Sequence, residues 1–203
     1  MTDCNKEQFE FQAIGRRRVV AAFDAGHVTS DAGGLLLREA MLGSQIIDTL
    51  AAAGFVDHRD PDRIAHSVRD LVAQRILGLA LGYEDLNDHD HLRNDALFSI
   101  AVGKVDADGA VALAGKSTLN RLELTRNDDG RTKRIAHIPH KIADCLTAAG
   151  LDGLSINGAP KEIWLDVDAT DEPTHGEQEG KHFHAFYDGY CFLPLYIFAG
   201  TRS

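Results

Sequence analysis

The chain has 203 residues, of which 44% are hydrophobic and 26% are charged, and its formal net charge is −10. This length can hold one ample domain or two small ones with a buried core, and the composition is that of a soluble globular protein. The acidic balance argues against a protein that coats nucleic acid through its overall charge, but a local basic patch remains compatible with DNA binding.

Cysteine usage and hydropathy predict a cytoplasmic protein without a membrane partner. Cys4, Cys145 and Cys191 are far apart and odd in number, which is typical of reduced thiols. No apolar run reaches the roughly 18–20 residues that a membrane-spanning helix needs. The first residues also lack the basic and then apolar pattern of a signal peptide.

The first predicted element is a short strand at Val19–Phe23, directly after the compact basic triplet Arg16, Arg17 and Arg18. Two interpretations of the triplet remain open. It is either a solubilising surface patch or a set of contacts to the phosphates of a DNA backbone.

A series of helices follows. The predicted helical stretches are residues 31–54 with a break at Gly43 and Ser44, then 62–82, 84–91, 93–102, 117–124 and 133–149. The second stretch has the clearest period, with its apolar face formed by Ile64, Val68, Leu71, Val72, Ile76 and Leu79. Gln74 is predicted to lie away from that face.

The segment "GKSTLNRLE" contains the polar residues Lys116, Ser117 and Arg121. In one interpretation Ser117 caps a helix and Arg121 is exposed on its surface. In the other, the helix N-terminus and these three side chains bind DNA phosphates.

The period changes from 3.6 to 2 near the end of the chain. Three successive strands are predicted at residues 161–170, 182–190 and 192–200. The sequence therefore predicts a helical region at residues 1–156 and a β-rich region at residues 157–203.

The first of these strands carries two carboxylates where a buried strand would carry apolar residues. Alternation places Trp164, Asp166 and Asp168 on one face, with the two acids about 7 Å apart along the strand. A buried carboxylate needs a partner or a cation, and Mg²⁺ or Mn²⁺ prefers such oxygen ligands. The alternative is a strand whose acids simply face solvent.

Several separate segments, in the same order, resemble bacterial insertion-sequence transposases of the DDE type, in the group named for insertion sequence 1380. The segments are "VTSDAGGLLLREA", "RILGLALGYEDLNDHDHLRNDALFSIAVGK", "LAGKSTLNRLE", "LDVDATDEPTHGEQEG" and "AFYDGYCFLPLYIF", and together they extend from about Phe23 to Phe198. The resemblance implies a helical N-terminal domain for DNA binding and assembly, followed by the start of an RNase H-like α/β domain.

The resemblance also implies roles for particular residues. Asp168 is expected to be the first acidic catalytic residue and metal ligand, because "Asp168-Ala169-Thr170" resembles the end of that strand in the family, and Asp166 is the alternative. Mg²⁺ or Mn²⁺ is the expected cofactor of the full-length family, and the terminal inverted repeats of a transposon are the expected DNA. His175 is expected to contact the DNA strand that is cut.

The same family requires a second Asp on a later strand and a Glu on a following helix. This sequence stops at "FAGTRS", directly after the third predicted strand. We therefore expect the front part of a transposase, with only the first three strands of its catalytic domain and no activity alone. The alternative is a DNA-binding or regulatory fragment that competes with, or assembles with, a full-length transposase.

Overall fold

The structure is a computed structural model that describes residues 8–23, 29–106, 109–123, 135–154 and 162–202. Contacts between Cα atoms divide the chain into two units, Met1–Ala149 and Gly150–Ser203. The mixture of helices and strands confirms the expected α+β composition. The boundary expected between residues 156 and 157 lies outside the described residues, and the functions assigned to the two regions stay predictions.

The first described elements of the first unit form an antiparallel hairpin of β1 (Gln8–Ile14) and β2 (Arg17–Ala22). Gly15 forms the turn with a φ of 59°, a conformation that glycine adopts without steric cost. The expected strand at Val19–Phe23 is thus β2, displaced by one or two residues. Strand β1 was not predicted from the sequence.

Seven α-helices lie in the described residues: α1 (Gly34–Ser44), α2 (Ile46–Ala53), α3 (Val68–Ala80), α4 (His89–Leu92), α5 (Ala96–Val102), α6 (Lys116–Glu123) and α7 (Pro139–Leu154). Helix α3 packs against α1, α2, α5 and α6, and is therefore at the centre of the first unit. The most deeply buried apolar side chains of the core are Leu71, Leu77, Phe98, Leu113 and Leu119.

Helix α3 begins later than its period predicted. Pro61–Arg63 forms a separate 3₁₀ turn, and the helix starts only after Ser67. The Ser67 hydroxyl accepts a hydrogen bond from the Asp70 N–H at 3.1 Å, and the Asp70 carboxylate accepts one from the Ser67 N–H at 3.1 Å. This reciprocal capping box satisfies two N–H groups at the helix start.

The buried face of α3 also differs from the predicted one. Leu71 and Val72 are buried as expected, but Leu79 is 48% exposed, and Gln74, expected on the polar face, is 1% exposed. Gln74 faces the core because its amide binds the backbone of Ala114 and the ring of His89. Hydrophobic period alone does not reveal such a satisfied buried amide.

Short antiparallel pairs connect the helices of the first unit. Strand β3 (Phe55–Asp57) pairs with β6 (Ile135–His137), and β4 (Val105–Asp106) pairs with β5 (Gly109–Ala110). The helix expected from residue 133 therefore starts only at Pro139, a residue suited to the first helical position.

The described part of the second unit contains five strands rather than the three predicted. They are β7 (Glu162–Ala169), β8 (Glu172–Pro173), β9 (His182–His184), β10 (Gly189–Phe192) and β11 (Leu195–Arg202). The predicted strand at 182–190 is in fact β9, a turn and the start of β10. Asp188 is the last residue of that turn and has a φ of 48°, a left-handed conformation that Asp tolerates better than most residues.

The strands of the second unit form two separate antiparallel sheets. One has the order β8-β10-β9, and the other is a two-stranded ribbon of β7 and β11. Cys191 on β10 is 2% exposed, as expected for a small apolar side chain.

Candidate functional site

The two aspartates lie on the β7–β11 ribbon. Asp168 is directly opposite Tyr196, and Asp166 is opposite Phe198. Directly paired residues of an antiparallel sheet share a face. The rings of Tyr196 and Phe198 stack with centroids 6.3 Å apart, so both aspartates lie on the face that carries this aromatic pair.

The environment of the aspartates is open to solvent. Every residue of β7 is exposed, including Trp164 at 58%, which agrees with the alternative of a strand whose acids face solvent and not with a buried strand. Asp166 and Asp168 therefore escape the desolvation cost that motivated the metal hypothesis. The side that points away from the aspartates is no less exposed, with Leu165 at 65%.

The end of β7 is held by Thr170. Its N–H donates to the carbonyl oxygen of Pro194 at 3.1 Å, and its hydroxyl donates to Asp168 Oδ2 at 3.4 Å. The short Asp-x-Thr motif thus brings a hydroxyl to the carboxylate of Asp168. Asp166 has no comparable contact among the described residues.

The described residues do not make up a complete site for a metal ion. No group of three or more His, Cys, Asp or Glu side chains lies together in the parts of the chain that the structure describes. Mg²⁺ takes oxygen ligands in a near-octahedral arrangement, and a pair of ions needs carboxylates from several elements. Asp166 and Asp168 alone do not fit that requirement.

His175 follows β8 in the loop that leads to β9, and its side chain is exposed. The Thr174 hydroxyl donates to the Tyr190 carbonyl at 2.9 Å, which anchors the start of this loop. No hydrogen bond or ion pair between His175 and either aspartate is found within residues 162–202. The structure therefore does not bring the three predicted residues of this unit into one cluster.

The arginine triplet lies at the β1–β2 turn. Arg16 is in the turn itself, Arg17 and Arg18 open β2, and all three are exposed. Arg18 Nε donates to Glu10 Oε1 across the hairpin at 2.9 Å, and this pairing lowers the pKa of Glu10. The turn thus presents a basic surface of which Arg18 is partly neutralised.

Lys116 and Ser117 form the first turn of α6, and Arg121 lies further along its exposed surface. The Lys116 N–H donates to Asp90 Oδ1 at 3.0 Å, while its Nζ donates to Asn87 Oδ1 at 3.0 Å. The hydrogen bond from the Lys116 N–H is the main cause of the lowered pKa of Asp90. A carboxylate of this chain thus already binds the helix N-terminus where a phosphate was predicted.

The burial of two polar side chains was not predicted from the sequence. His89 is fully buried beside Gln74, and Arg38 on α1 is 4% exposed. Both lie in segments that were predicted to be helical. The short segment "HDHL" gave no signal that its first histidine is buried, because the burial comes from contacts with α3 and Phe98.

Fold and site together define an α+β protein in which an exposed strand with two carboxylates follows a helical unit with a basic hairpin turn. The chain belongs to the family described as Transposase DDE domain group 1, which matches residues 11–203. The match includes every residue proposed from the sequence for catalysis, metal binding or DNA binding. It also supports a role in DNA transposition.

Comparisons with the curated proteins and with the solved structures gave no match. In the parts of the chain that the structure describes, no helix is both long enough and apolar enough to cross a membrane.

Proposed function

We propose that the chain takes part in DNA transposition as the part of a DDE transposase that binds the terminal inverted repeats and carries the first catalytic acid. The group named for insertion sequence 1380, an RNase H-like catalytic domain and a cytoplasmic location belong to this proposal. The observation that carries it is the shared face of Asp166 and Asp168 on β7, inside the family match.

Asp168 is the preferred first acid, with Asp166 as the alternative. The support is the Thr170 hydroxyl, which donates to Asp168 Oδ2 and restricts the orientation of that carboxylate. A divalent metal of the Mg²⁺ or Mn²⁺ type supplies the hydrolytic chemistry of the family. Because no third ligand joins Asp166 and Asp168 among the described residues, the remaining ligands must come from elsewhere.

DNA binding is assigned to the first unit and to His175. The exposed turn with Arg16, Arg17 and Arg18 supplies the positive charge that backbone contacts require. Lys116, Ser117 and Arg121 on α6 are weaker candidates, since Asp90 already binds the first turn of that helix. His175 is exposed in its loop and accessible to a strand of DNA.

The second candidate function is that of a DNA-binding or regulatory partner of a full-length transposase. The observation that favours it is the isolated pair Asp166 and Asp168, which no third ligand joins among the described residues. On this basis we propose that these 203 residues bind DNA ends without cleaving them. Assembly with itself or with a complete transposase belongs to this second candidate.

The test is binding of the purified chain to duplex DNA that carries the inverted repeat, against a scrambled duplex, across a salt series with Mg²⁺ or Mn²⁺. The expected result is selective binding without cleavage. If Arg16 and Arg17 each bind a phosphate, the alanine variant of either residue should have a salt slope that is shallower by about 0.9. Arg63→Ala is the control, because Arg63 is an exposed arginine that belongs to none of the predicted DNA contacts.

Cleavage discriminates between the two candidates. If the chain cuts the repeat and Asp168→Asn abolishes the cut, the second candidate function, DNA binding without cleavage, is wrong. The catalytic site that includes Asp168 is then complete. If Asp166→Asn abolishes the cut and Asp168→Asn does not, Asp166 is the first catalytic acid. If neither binding nor cleavage occurs, the proposed function of this chain fails.

A further inference from the structure

A cavity of about 290 Å³ lies in the first unit beside the β1–β2 hairpin. Its walls come from the end of β1 and the Gly15 turn, from α1 and α3, and from the C-terminal end of α5. Arg38 and Arg69 both line it. A cavity with two guanidinium groups in its wall, next to an exposed arginine turn, is suited to an anion.

Arg38 is the more deeply buried of the two, with only 5% of its side chain exposed. Its Nη1 donates to the Gln12 carbonyl at 2.8 Å and to Glu39 Oε1 at 2.9 Å. Nε and Nη2 have no hydrogen-bond partner among the described residues. Arg38 lines the cavity, and these two nitrogens form the edge of its guanidinium that matches two oxygens of a phosphate.

The charge around the cavity is partly balanced. Glu39 pairs with Arg38, and Asp48 accepts from Arg69 Nε at 2.6 Å. Arg69 Nη1 donates to the Val102 carbonyl at 3.1 Å, which holds its guanidinium at the wall. The excess positive charge comes from Arg16 and Arg17 in the adjoining hairpin, and it attracts an extended anion rather than a single small ion.

We propose that this cavity receives one backbone phosphate of bound DNA, with Arg38 as its principal donor and Arg69 beside it. The inference rests on the proposed function of DNA binding and adds a site inside the fold to the contacts predicted at the exposed turn. Arg16 and Arg17 attract neighbouring phosphates, while the fixed edge of Arg38 sets the position of one of them. Phosphate contacts of this kind determine the register of a protein on DNA.

Gly15 provides a matched pair of variants at the cavity wall. A Cβ at this position meets no atom within 4 Å, and Asp and Asn tolerate its φ of 59° better than other residues do. Gly15→Asp places a carboxylate beside the proposed phosphate, whereas Gly15→Asn has nearly the same shape without the charge. Neither variant removes a hydrogen bond of the core.

Two measurements on the full 203-residue chain test the proposal. The first follows the Arg Nε–H signals of ¹⁵N-labelled protein during titration with inorganic phosphate, against sodium chloride at equal ionic strength. The disappearance of one signal in Arg38→Lys identifies the signal of Arg38. The second measures affinity for a duplex across a salt series.

We expect phosphate to shift the Arg38 signal saturably in the wild-type chain and in Gly15→Asn. In Gly15→Asp, affinity for phosphate and for DNA should fall roughly fivefold relative to Gly15→Asn, because a like charge stands next to the anion. The salt slope for DNA should also become shallower by about 0.9, the contribution of one bound phosphate.

The outcomes separate this inference from the proposed function. If DNA binds equally well to Gly15→Asp and Gly15→Asn, or phosphate leaves the Arg38 signal unmoved, the cavity is not a phosphate site while DNA binding stands. If the wild-type chain binds no DNA, the proposed function and the assignment to a DNA phosphate both fall, even where inorganic phosphate shifts Arg38.

Discussion

At the scale of single residues, the most informative polar contact is the one between Gln74 and His89. The Gln74 amide donates to the Ala114 carbonyl at 2.8 Å and accepts from the Ala114 N–H at 3.0 Å, which fixes its orientation. Its second N–H therefore points to His89 Nδ1, 3.2 Å away, and Nδ1 must accept. The ring is thus neutral, with its proton on Nε2.

Protonation of His89 would place two N–H groups face to face. Burial is the main reason that the pKa of His89 lies below its usual value, and the Arg75 guanidinium lowers the pKa further. Asp88, Asp90 and Glu123 oppose this shift without reversing it. Just below pH 6.5, His89 therefore binds fewer protons in the folded chain than in the unfolded chain. Acid consequently lowers the free energy of unfolding through this residue.

We predict that the free energy of unfolding falls as pH decreases from about 6.5, with a slope of up to about 1.4 kcal/mol per pH unit for His89. His89→Asn, which keeps an acceptor near the Nδ1 position, should give a shallower slope. Urea unfolding followed by circular dichroism at several pH values measures this. The exposed His140→Asn variant is the control, and equal slopes in wild-type and His89→Asn would contradict the assignment.

At the scale of elements, α3 shows how a helix is fitted to its neighbours. Gly78 is buried where α3 approaches α4, and a Cβ built on it would lie 2.8 Å from the His89 ring. Glycine within a helix ordinarily costs stability relative to alanine. At this position its lack of a side chain is what allows His89 to lie against the helix.

We predict opposite effects for alanine at two helical glycines. Gly78→Ala should lower the free energy of unfolding by about 1–3 kcal/mol, because His89 must move. Gly43→Ala in α1 should raise it by about 0.5–1 kcal/mol, since its Cβ meets no atom within 4 Å. Urea denaturation of both variants measures the difference, and stabilisation by Gly78→Ala would show that the predicted overlap with His89 is wrong.

The positions of whole helices were predicted better than the points at which elements begin and end. Helices with several apolar turns were found near their predicted positions, because their period survives small errors at the ends. The start of α3 at Val68 depended on the Ser67 cap, and the division of residues 182–190 depended on the Asp188 turn. Both are local hydrogen-bond and backbone features that a hydrophobic pattern does not contain.

At the scale of the whole molecule, the β7–β11 ribbon is widely exposed. Large apolar side chains are exposed on both of its faces, and within the described residues neither outer edge is paired with another strand. A two-stranded ribbon is marginally stable alone, and open apolar edges promote association. Pro194, which lacks an N–H, lies just before β11 and protects only the start of that edge.

We predict that the apparent mass of the chain by light scattering rises with protein concentration, and that Ile197→Lys reduces this rise. Ile197 is 61% exposed on the side of the ribbon opposite the aspartates. Gln178→Lys adds the same charge in an exposed loop and is the control. If both variants associate like the wild-type chain, the ribbon is not the surface responsible.

The sequence by itself determined the family resemblance, the change from helices to strands and the position of Asp166 and Asp168 on one face of a strand. These follow from motif order and from the fixed periods of helix and strand, which are local properties. Only the tertiary structure decided that Gln74, His89 and Arg38 are buried, that Asp90 binds the start of α6, and that β7 is exposed. Burial and partner choice depend on which distant segments pack together, and no local pattern records that.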